Sequence, residues 1–325
     1  MAQDILEDNI VKYGRSLLDI LLQDKTTKKN IIWATDDYEK HGDMYKAHKE
    51  ITSALITGSH TRIIQPRTTK AKEYQSSRTR DKAEVFTPAW VCNQQNNLID
   101  EQWFGRANVF NIPSGESWLR TIEKINFSQE KGKTWKDYID ARRLEISCGE
   151  APYLVSRYDA VTGNVIPVLE RIGLLDRKFR VVNENLEDED AWIKWAMRAV
   201  QSTYGYEFQG DNLLLARENI LYTFIDNMRY KFGHEPTLVL LKKVANIVAW
   251  NIWQMDGLTY TIPYGSARED EHQMSIFDFL HSEEEEKEDE NWMKMQMGPD
   301  TPFCKIRDWR AEKTVDYVSL VKGEC

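Results

Sequence analysis

The chain predicts an α/β fold, on three observations. Helix-length segments carrying an apolar stripe alternate with short apolar runs of strand length. One such run, Leu144-Glu145-Ile146, passes into Cys148-Gly149, the kind of turn that joins a strand to a helix beside a ligand in doubly wound sheets. The composition, 41% hydrophobic and 29% charged over 325 residues, is that of a soluble globular chain with a substantial core, in one large or two ordinary domains.

Residues 4 to 23 read as an amphipathic helix, because Ile5, Leu6, Ile10, Leu17, Leu18 and Leu21 fall on one stripe. Asn30 to Thr35 reads as a short buried strand, Asp36 to Glu50 as a polar helix and Thr61 to Gln65 as a further strand. The basic stretch to Lys82 has no apolar period and is expected as an exposed loop. Ala89 to Asp100 is a helix with Pro88 at its start, where a missing N–H costs nothing. Trp135 to Arg142 is a short helix, Leu144 opens a strand, and Asn164 to Leu174 includes a helix. Arg177 to Val182 reads as a strand or an exposed basic ridge. Asp190 to Ser202 is a helix, Thr203 to Glu207 a strand, Asn212 to Phe224 and Thr237 to Val248 helices. The run Glu283 to Glu290 cannot bury itself and is expected as a disordered loop, with order returning over Phe303 to Leu320. The expected division is 1–82, an N-terminal region ending in a basic loop; 83–265, the core; 266–300, the acidic loop; and 301–325, a C-terminal segment.

The formal net charge of −9 is unevenly placed. Residues 266 to 290 hold eleven acids and two bases, which accounts for all of it. From His60 to Lys82, Arg62, Arg67, Lys70, Lys72, Arg78, Arg80 and Lys82 face only Glu73 and Asp81, a local +5 that suits a polyanion such as double-stranded DNA. No apolar run is long enough to span a bilayer, and the acidic Met1-Ala2-Gln3-Asp4 start does not look like a secretory signal. The four cysteines, Cys92, Cys148, Cys304 and Cys325, are scattered, and the six histidines have no ligand spacing. A cytoplasmic chain with free thiols and no metal is expected.

Three short elements stand in a telling order: Glu84-Val85-Phe86-Thr87-Pro88, then Cys148-Gly149-Glu150-Ala151, then Tyr204-Gly205-Tyr206-Glu207. Over roughly residues 83 to 260 this order resembles the gamma-type adenine-N6 DNA methyltransferases, many of which are modification subunits of restriction systems. The resemblance implies a Rossmann-like, doubly wound, mostly parallel sheet with a smaller N-terminal α/β or helical region. It implies S-adenosylmethionine as cofactor, with Phe86, Thr87 and Pro88 closing over its methionine end. Cys148, Gly149 and Glu150 would form its turn, Glu207 would take the ribose hydroxyls and Asp256 would lie near the adenine. Two departures are plain: Ala151 stands for a second glycine and Ile146 for a proline. Read without the family, the same residues make a strand–turn–helix with capping acids, and Thr87-Pro88 a helix start capped by Thr87.

The family's catalytic tetrapeptide, (Asn/Asp/Ser)-Pro-Pro-(Tyr/Phe/Trp), does not occur in this sequence. Its nearest match is Thr261-Ile262-Pro263-Tyr264, which makes Thr261, Pro263 and Tyr264 the candidate catalytic residues and also reads as a plain strand end. Charged residues crowd 145 to 180, among them Glu145, Arg157, Asp159, Arg171, Asp176, Arg177 and Lys178, as a salt-bridged surface or as a site of unnamed chemistry. Two functions follow. One is an S-adenosylmethionine-dependent adenine-N6 methyltransferase-like protein of a restriction–modification system. The other is an inactive DNA-binding scaffold, or half of a split enzyme, working with a nuclease or a second methyltransferase subunit.

Overall fold

The structure, a computed structural model, describes residues 6–70, 87–264 and 302–323. The acidic segment, Phe86, Lys72, Arg78, Arg80, Lys82 and Cys325 lie outside the described residues. The chain is mixed α/β. It opens with α1 (Glu7–Tyr13) and α2 (Arg15–Leu22), one predicted helix broken at Gly14, whose φ of 148° no helix accommodates. Residues 30 to 35 form only isolated bridges, Gln23 with Asn30 and Ile32 with Glu50, and turn left-handed at Ala34, φ 50°. The helix expected over 36 to 50 is instead two 3-10 turns, Glu39–His41 and Asp43–Tyr45, parted by Gly42 at φ 122°. After α3 (Ser53–Ile56) no strand forms over 61 to 65.

α4 (Ala89–Phe104) ends at Gly105, left-handed at φ 69°. A hairpin that the sequence reading missed follows, β1 (Asn111–Ser114) and β2 (Ser117–Arg120). α5 (Trp135–Asp140) begins with a capping box between Thr134 and Asp137. Then come β3 (Arg143–Glu145), α6 (Leu174–Asn185), α7 (Glu189–Gln201), β4 (Thr203–Glu207), α8 (Gly210–Phe232), α9 (Leu238–Asn251) and β5 (Ile252–Gln254). Only the 3-10 turn Val168–Glu170 forms where a helix was expected before Leu174. The C-terminal segment is the hairpin β6 (Lys305–Asp308) and β7 (Lys313–Asp316), closed by α10 (Tyr317–Val321).

β3, β4 and β5 form a parallel sheet in sequence order, with Leu144 opposite Tyr204 and Tyr206 opposite Trp253. Alternation puts Leu144, Tyr204, Tyr206 and Trp253 on one face and Glu145, Gly205 and Ile252 on the other. The second face carries the main core, in which Ile252 and Cys148 join Val200, Leu214, Ala245 and Val248 from the helices. The first face is covered differently: Tyr204, Tyr206 and Trp253 meet Cys304, Ile306 and Tyr317 of the C-terminal hairpin in a smaller cluster. α8 is the central helix, buried at every residue from Gly210 to Ile225, as expected of a helix with neighbours on all sides.

Arg177 to Val182 overturns its expectation as strand or basic ridge. It is the middle of α6, with Arg177 and Lys178 both 1% exposed. Arg177 pairs with Asp100 and donates to Asn93 Oδ1 at 2.9 Å, Asn97 Oδ1 at 2.8 Å and the Ile172 carbonyl at 3.0 Å. Lys178 donates to the Ala141 carbonyl and Ser202 Oγ, both at 2.6 Å, and burial pushes its ammonium well below the usual range. The crowded region is thus an interior network. Arg157 and Arg171 share Asp226 at 3.0 and 2.7 Å, and the Asp176 carboxylate accepts the Gly173 and Ser156 N–H groups at the start of α6.

Candidate cofactor site

The carboxyl ends of β3 and β4 lie side by side, and the turn after β3 folds across them. Ser147, Gly149 and Ala151 are all left-handed, at φ 51°, 52° and 65°. Two of the three carry a β-carbon, a conformation that costs each about 1–2 kcal/mol and gathers at functional turns. Ala151 therefore holds the backbone shape for which a glycine is the natural residue. The turn is pinned by Cys148 N–H to the Tyr206 carbonyl at 2.8 Å and Ala151 N–H to the Cys148 carbonyl at 2.7 Å. Gly205 makes room for it: a β-carbon there would stand 3.2 Å from Cys148 Cβ and Sγ. Burial pushes the Cys148 thiol well up, which makes it inert as a nucleophile at neutral pH.

Glu207, ending β4, reaches into this turn. Its carboxylate accepts Gly149 N–H at 2.8 Å on one oxygen and Gln209 N–H at 3.2 Å on the other. Glu145, ending β3, stands beside it with a long 3.4 Å contact from Tyr153 N–H and a further backbone contact from Leu154, and its carboxyl is pushed well up, by burial first and by the Glu207 charge as well. Glu150 turns the other way. Its two oxygens accept Arg67 N–H at 2.7 Å and the Tyr158 hydroxyl at 2.5 Å, and Asn219 of α8 donates to its carbonyl at 3.1 Å. Glu150 thus ties the turn to two other segments.

Thr87 and Pro88 arrive at the same place. The helix they start is capped from outside: Ala89 donates its N–H to Asp159 Oδ2 at 2.7 Å. The reading of Thr87 as cap is corrected by this bond; Pro88 occupies the cap position and has no side-chain acceptor. Asn96 of α4 donates to the Tyr153 and Ile172 carbonyls at 3.0 and 3.1 Å, so α4 is fastened to the segment that follows the turn. Thr87 and Cys92 both neighbour the Tyr153 hydroxyl.

Asp256 lies beyond β5 and shapes its own loop, accepting Leu258 N–H at 2.8 Å and Thr259 N–H at 3.3 Å. Thr261 is buried and its hydroxyl is engaged by Thr259 at 2.8 Å and by the Ile262 carbonyl at 3.2 Å. Pro263 is buried beside it. Tyr264 is half exposed, left-handed at φ 54°, and meets the ring of Phe208 edge-on with centroids 5.7 Å apart. Since Phe208 follows Glu207, Tyr264 borders the same end of the sheet.

The site also holds residues absent from the sequence reading. Asp211, in the first turn of α8, is 0% exposed and accepts Tyr38 Oη at 2.7 Å and Lys70 Nζ at 3.3 Å. Its signal was available: an acid just past a strand, opening a helix, suits the positive end of the helix dipole. The N-terminal region closes over the strand ends. Gly210 donates its N–H to the Trp33 carbonyl at 2.9 Å, and the Gln254 side chain pairs with the Ile32 backbone in both directions at 2.9 Å. Of the basic stretch, Arg62 is exposed, while the Lys70 side chain is 6% exposed on Asp211 and Arg67 is held through its backbone on Glu150. The expected exposed loop is therefore drawn inward over 67 to 70.

Among the described residues no group of His, Cys, Asp and Glu side chains is arranged to hold a metal ion, and no helix is long and apolar enough to cross a membrane. No protein-family model, curated protein or solved structure matches the chain.

Proposed function

We propose that the chain is an S-adenosylmethionine-binding, adenine-N6 DNA methyltransferase-like protein of a restriction–modification system, built on one half of a doubly wound sheet. One observation carries this reading. Thr87-Pro88, the turn at Cys148 to Ala151 and Glu207, about 60 to 120 residues apart in sequence, gather about the carboxyl ends of two adjacent parallel strands, where open α/β sheets bind ligands.

The donor set suits the cofactor. The left-handed turn from Ser147 to Ala151 offers close backbone approach, and the Glu207 carboxylate is an acceptor for two ribose hydroxyls. When bound, the cofactor would supply an electrophilic methyl group on a sulfonium. Gly149 would border its methionine part and Glu207 its ribose, exchanging the Gly149 and Gln209 N–H bonds it now holds. Asp256, committed to its own turn, would act at the adenine only through that loop's position. Charge-assisted bonds from hydroxyls to a carboxylate contribute roughly 1.5–3 kcal/mol each. Calorimetry tests the reading. Wild type should release heat with S-adenosylmethionine and Glu207→Ala should not, with the circular dichroism of the two alike; the variant should melt somewhat lower, because the Gly149 and Gln209 N–H groups lose their acceptor. Silence from wild type at millimolar cofactor would sink the assignment.

A second reading, that this chain is one part of a split enzyme, is favoured by a specific feature. β3, which would be the central strand of a complete doubly wound sheet, is an edge among the described residues, and the sequence holds no catalytic tetrapeptide. On this reading a partner chain provides the acceptors that orient the adenine amine.

A further inference from the structure

We propose that the open edge of β3, with the groove beside it, is the docking surface for a β-strand of a second polypeptide, apolar on alternate residues and acidic at its flanks. It names the partner surface for the split-enzyme reading and rests on that reading only for what the partner does.

The edge is short but open. β3 pairs with β4 on one side and with no other strand among the described residues. Arg143 N–H is bonded to the Ser202 carbonyl at 2.9 Å, toward β4, so alternation turns the Leu144 N–H and C=O to the open side. An exposed row of such groups is a template for strand addition, and natural edges are commonly guarded by charge, proline or a bulge. No proline blocks the open side of this three-residue strand, and its outward residues are apolar: Leu144 is 42% exposed and Ile146, just past the strand, 65%.

Beside this edge lies a groove of about 580 Å³ between the sheet face and the C-terminal hairpin. Tyr204, Trp253 and Tyr317 line it, and Leu144 borders it, so a strand added at the edge would turn every second side chain over apolar surface. A contiguous apolar surface of this kind marks an interaction site more often than bare solvent exposure.

Charge selects the occupant. Arg307 and Lys313 also line the groove, and neither forms an ion pair with a carboxylate among the described residues. The acid in that lining, Asp308, is held by Arg142 at 2.9 Å. The Arg307 guanidinium rests on the Trp309 ring at 5.3 Å. Two unpaired cations beside an apolar groove favour acidic flanks on the incoming strand and reject basic ones.

The probe is a fluorescent peptide of alternating valine and threonine closed at each end by two glutamates, compared by anisotropy with the same peptide closed by lysines. The glutamate peptide should bind at least about tenfold more tightly. Leu144→Pro should weaken it by at least about tenfold with the circular dichroism unchanged, because an edge proline whose nitrogen faces outward leaves the β3–β4 bonds intact. Should that variant misfold, Arg307→Glu with Lys313→Glu still decides: the preference should reverse toward the lysine peptide. Equal affinities, or no binding of either peptide at millimolar concentration, overturn the proposal. So does sedimentation showing a dimer of this chain that Leu144→Pro dissolves, which would make a second copy the occupant. Cofactor calorimetry on the same variants keeps the two readings separate, since neither substitution touches Gly149 or Glu207.

Discussion

Glu7 and Glu218 should make the fold lose stability as pH rises through neutrality. Glu7, opening α1, is 1% exposed, and Glu218, in the middle of α8, is 0% exposed. Both Glu218 carboxyl oxygens and Glu7 Oε2 lack a hydrogen-bond partner among the described residues. Burial pushes the Glu7 carboxyl from 4.5 up to about 8, with the nearby Asp8 charge adding to it. Glu218 is pushed well up by burial and by Glu7, against the opposing pull of Arg157. The folded chain thus keeps a proton that the unfolded chain releases near pH 4.5. Its stabilising effect is complete below that pH, declines as pH rises, and is gone above about 8. At about 1.4 kcal/mol per pH unit the window is worth roughly 5 kcal/mol, and about half that once the site relaxes and admits water. Urea unfolding at several pH values across this window should show a falling midpoint for wild type. Glu7→Gln, which keeps the shape and removes the titration, should flatten the profile and be the more stable protein at the alkaline end. Glu218→Gln should do much the same, and the two changes should not add, because the groups interact. Parallel slopes for wild type and Glu7→Gln would refute the reasoning.

Lys70→Met strips the buried Asp211 of its ammonium partner and should lower stability by about 3–5 kcal/mol in urea titration, while Arg62→Ala, at an exposed position, should leave it within about 0.5 kcal/mol. Gly210→Ala would place a β-carbon 2.0 Å from the Ile32 carbonyl oxygen, so the N-terminal region must move off the strand ends; a loss of more than about 2 kcal/mol is expected, and an unchanged melting temperature would show that 30 to 35 is not docked there. The isolated chain should transfer little or no tritium from labelled S-adenosylmethionine to adenine in mixed-sequence DNA, because each missing preorganised acceptor costs about 10²–10³ in rate. Tyr264→Ala should change that background little; robust N6-methyladenine that vanishes in Tyr264→Ala would make Thr261 to Tyr264 the catalytic loop.

Segments with a strong local period were legible. Residues 190 to 202, 203 to 207, 212 to 224 and 237 to 248 were placed within a few residues of α7, β4, the middle of α8 and α9, because one apolar face or a short apolar run defines each. The segments misjudged have tertiary causes. Asn30 to Thr35 is apolar because it lies under α8 and β5, with its backbone bonded to Gly210 and Gln254 instead of to a ladder. Asp36 to Glu50 has helix-forming residues but is broken by Gly42 and held by Tyr38 on Asp211.

Arg177 to Val182 shows the limit most clearly. Arg and Lys at consecutive positions normally mark a surface, since burying either charge is costly. Here the partners come from far along the chain: Asp100, Asn93 and Asn97 on α4 for Arg177, and the carbonyl of Ala141 with the hydroxyl of Ser202 for Lys178. A pattern reading sees the charges and cannot see who satisfies them. The candidate site divides along the same line. Gly149 and Glu207 were readable because glycine and a strand-end acid have a local meaning. The part played by Glu150 was not, because what its carboxylate does is set by Arg67 and Tyr158, and the latter's hydroxyl is in turn held by Asn219 of α8. Through these bonds Glu150 braces the left-handed turn. Its replacement should disturb the turn and the 67–70 segment together, whereas replacing Glu207 should loosen the turn only at Gly149 and Gln209, whose N–H groups it accepts.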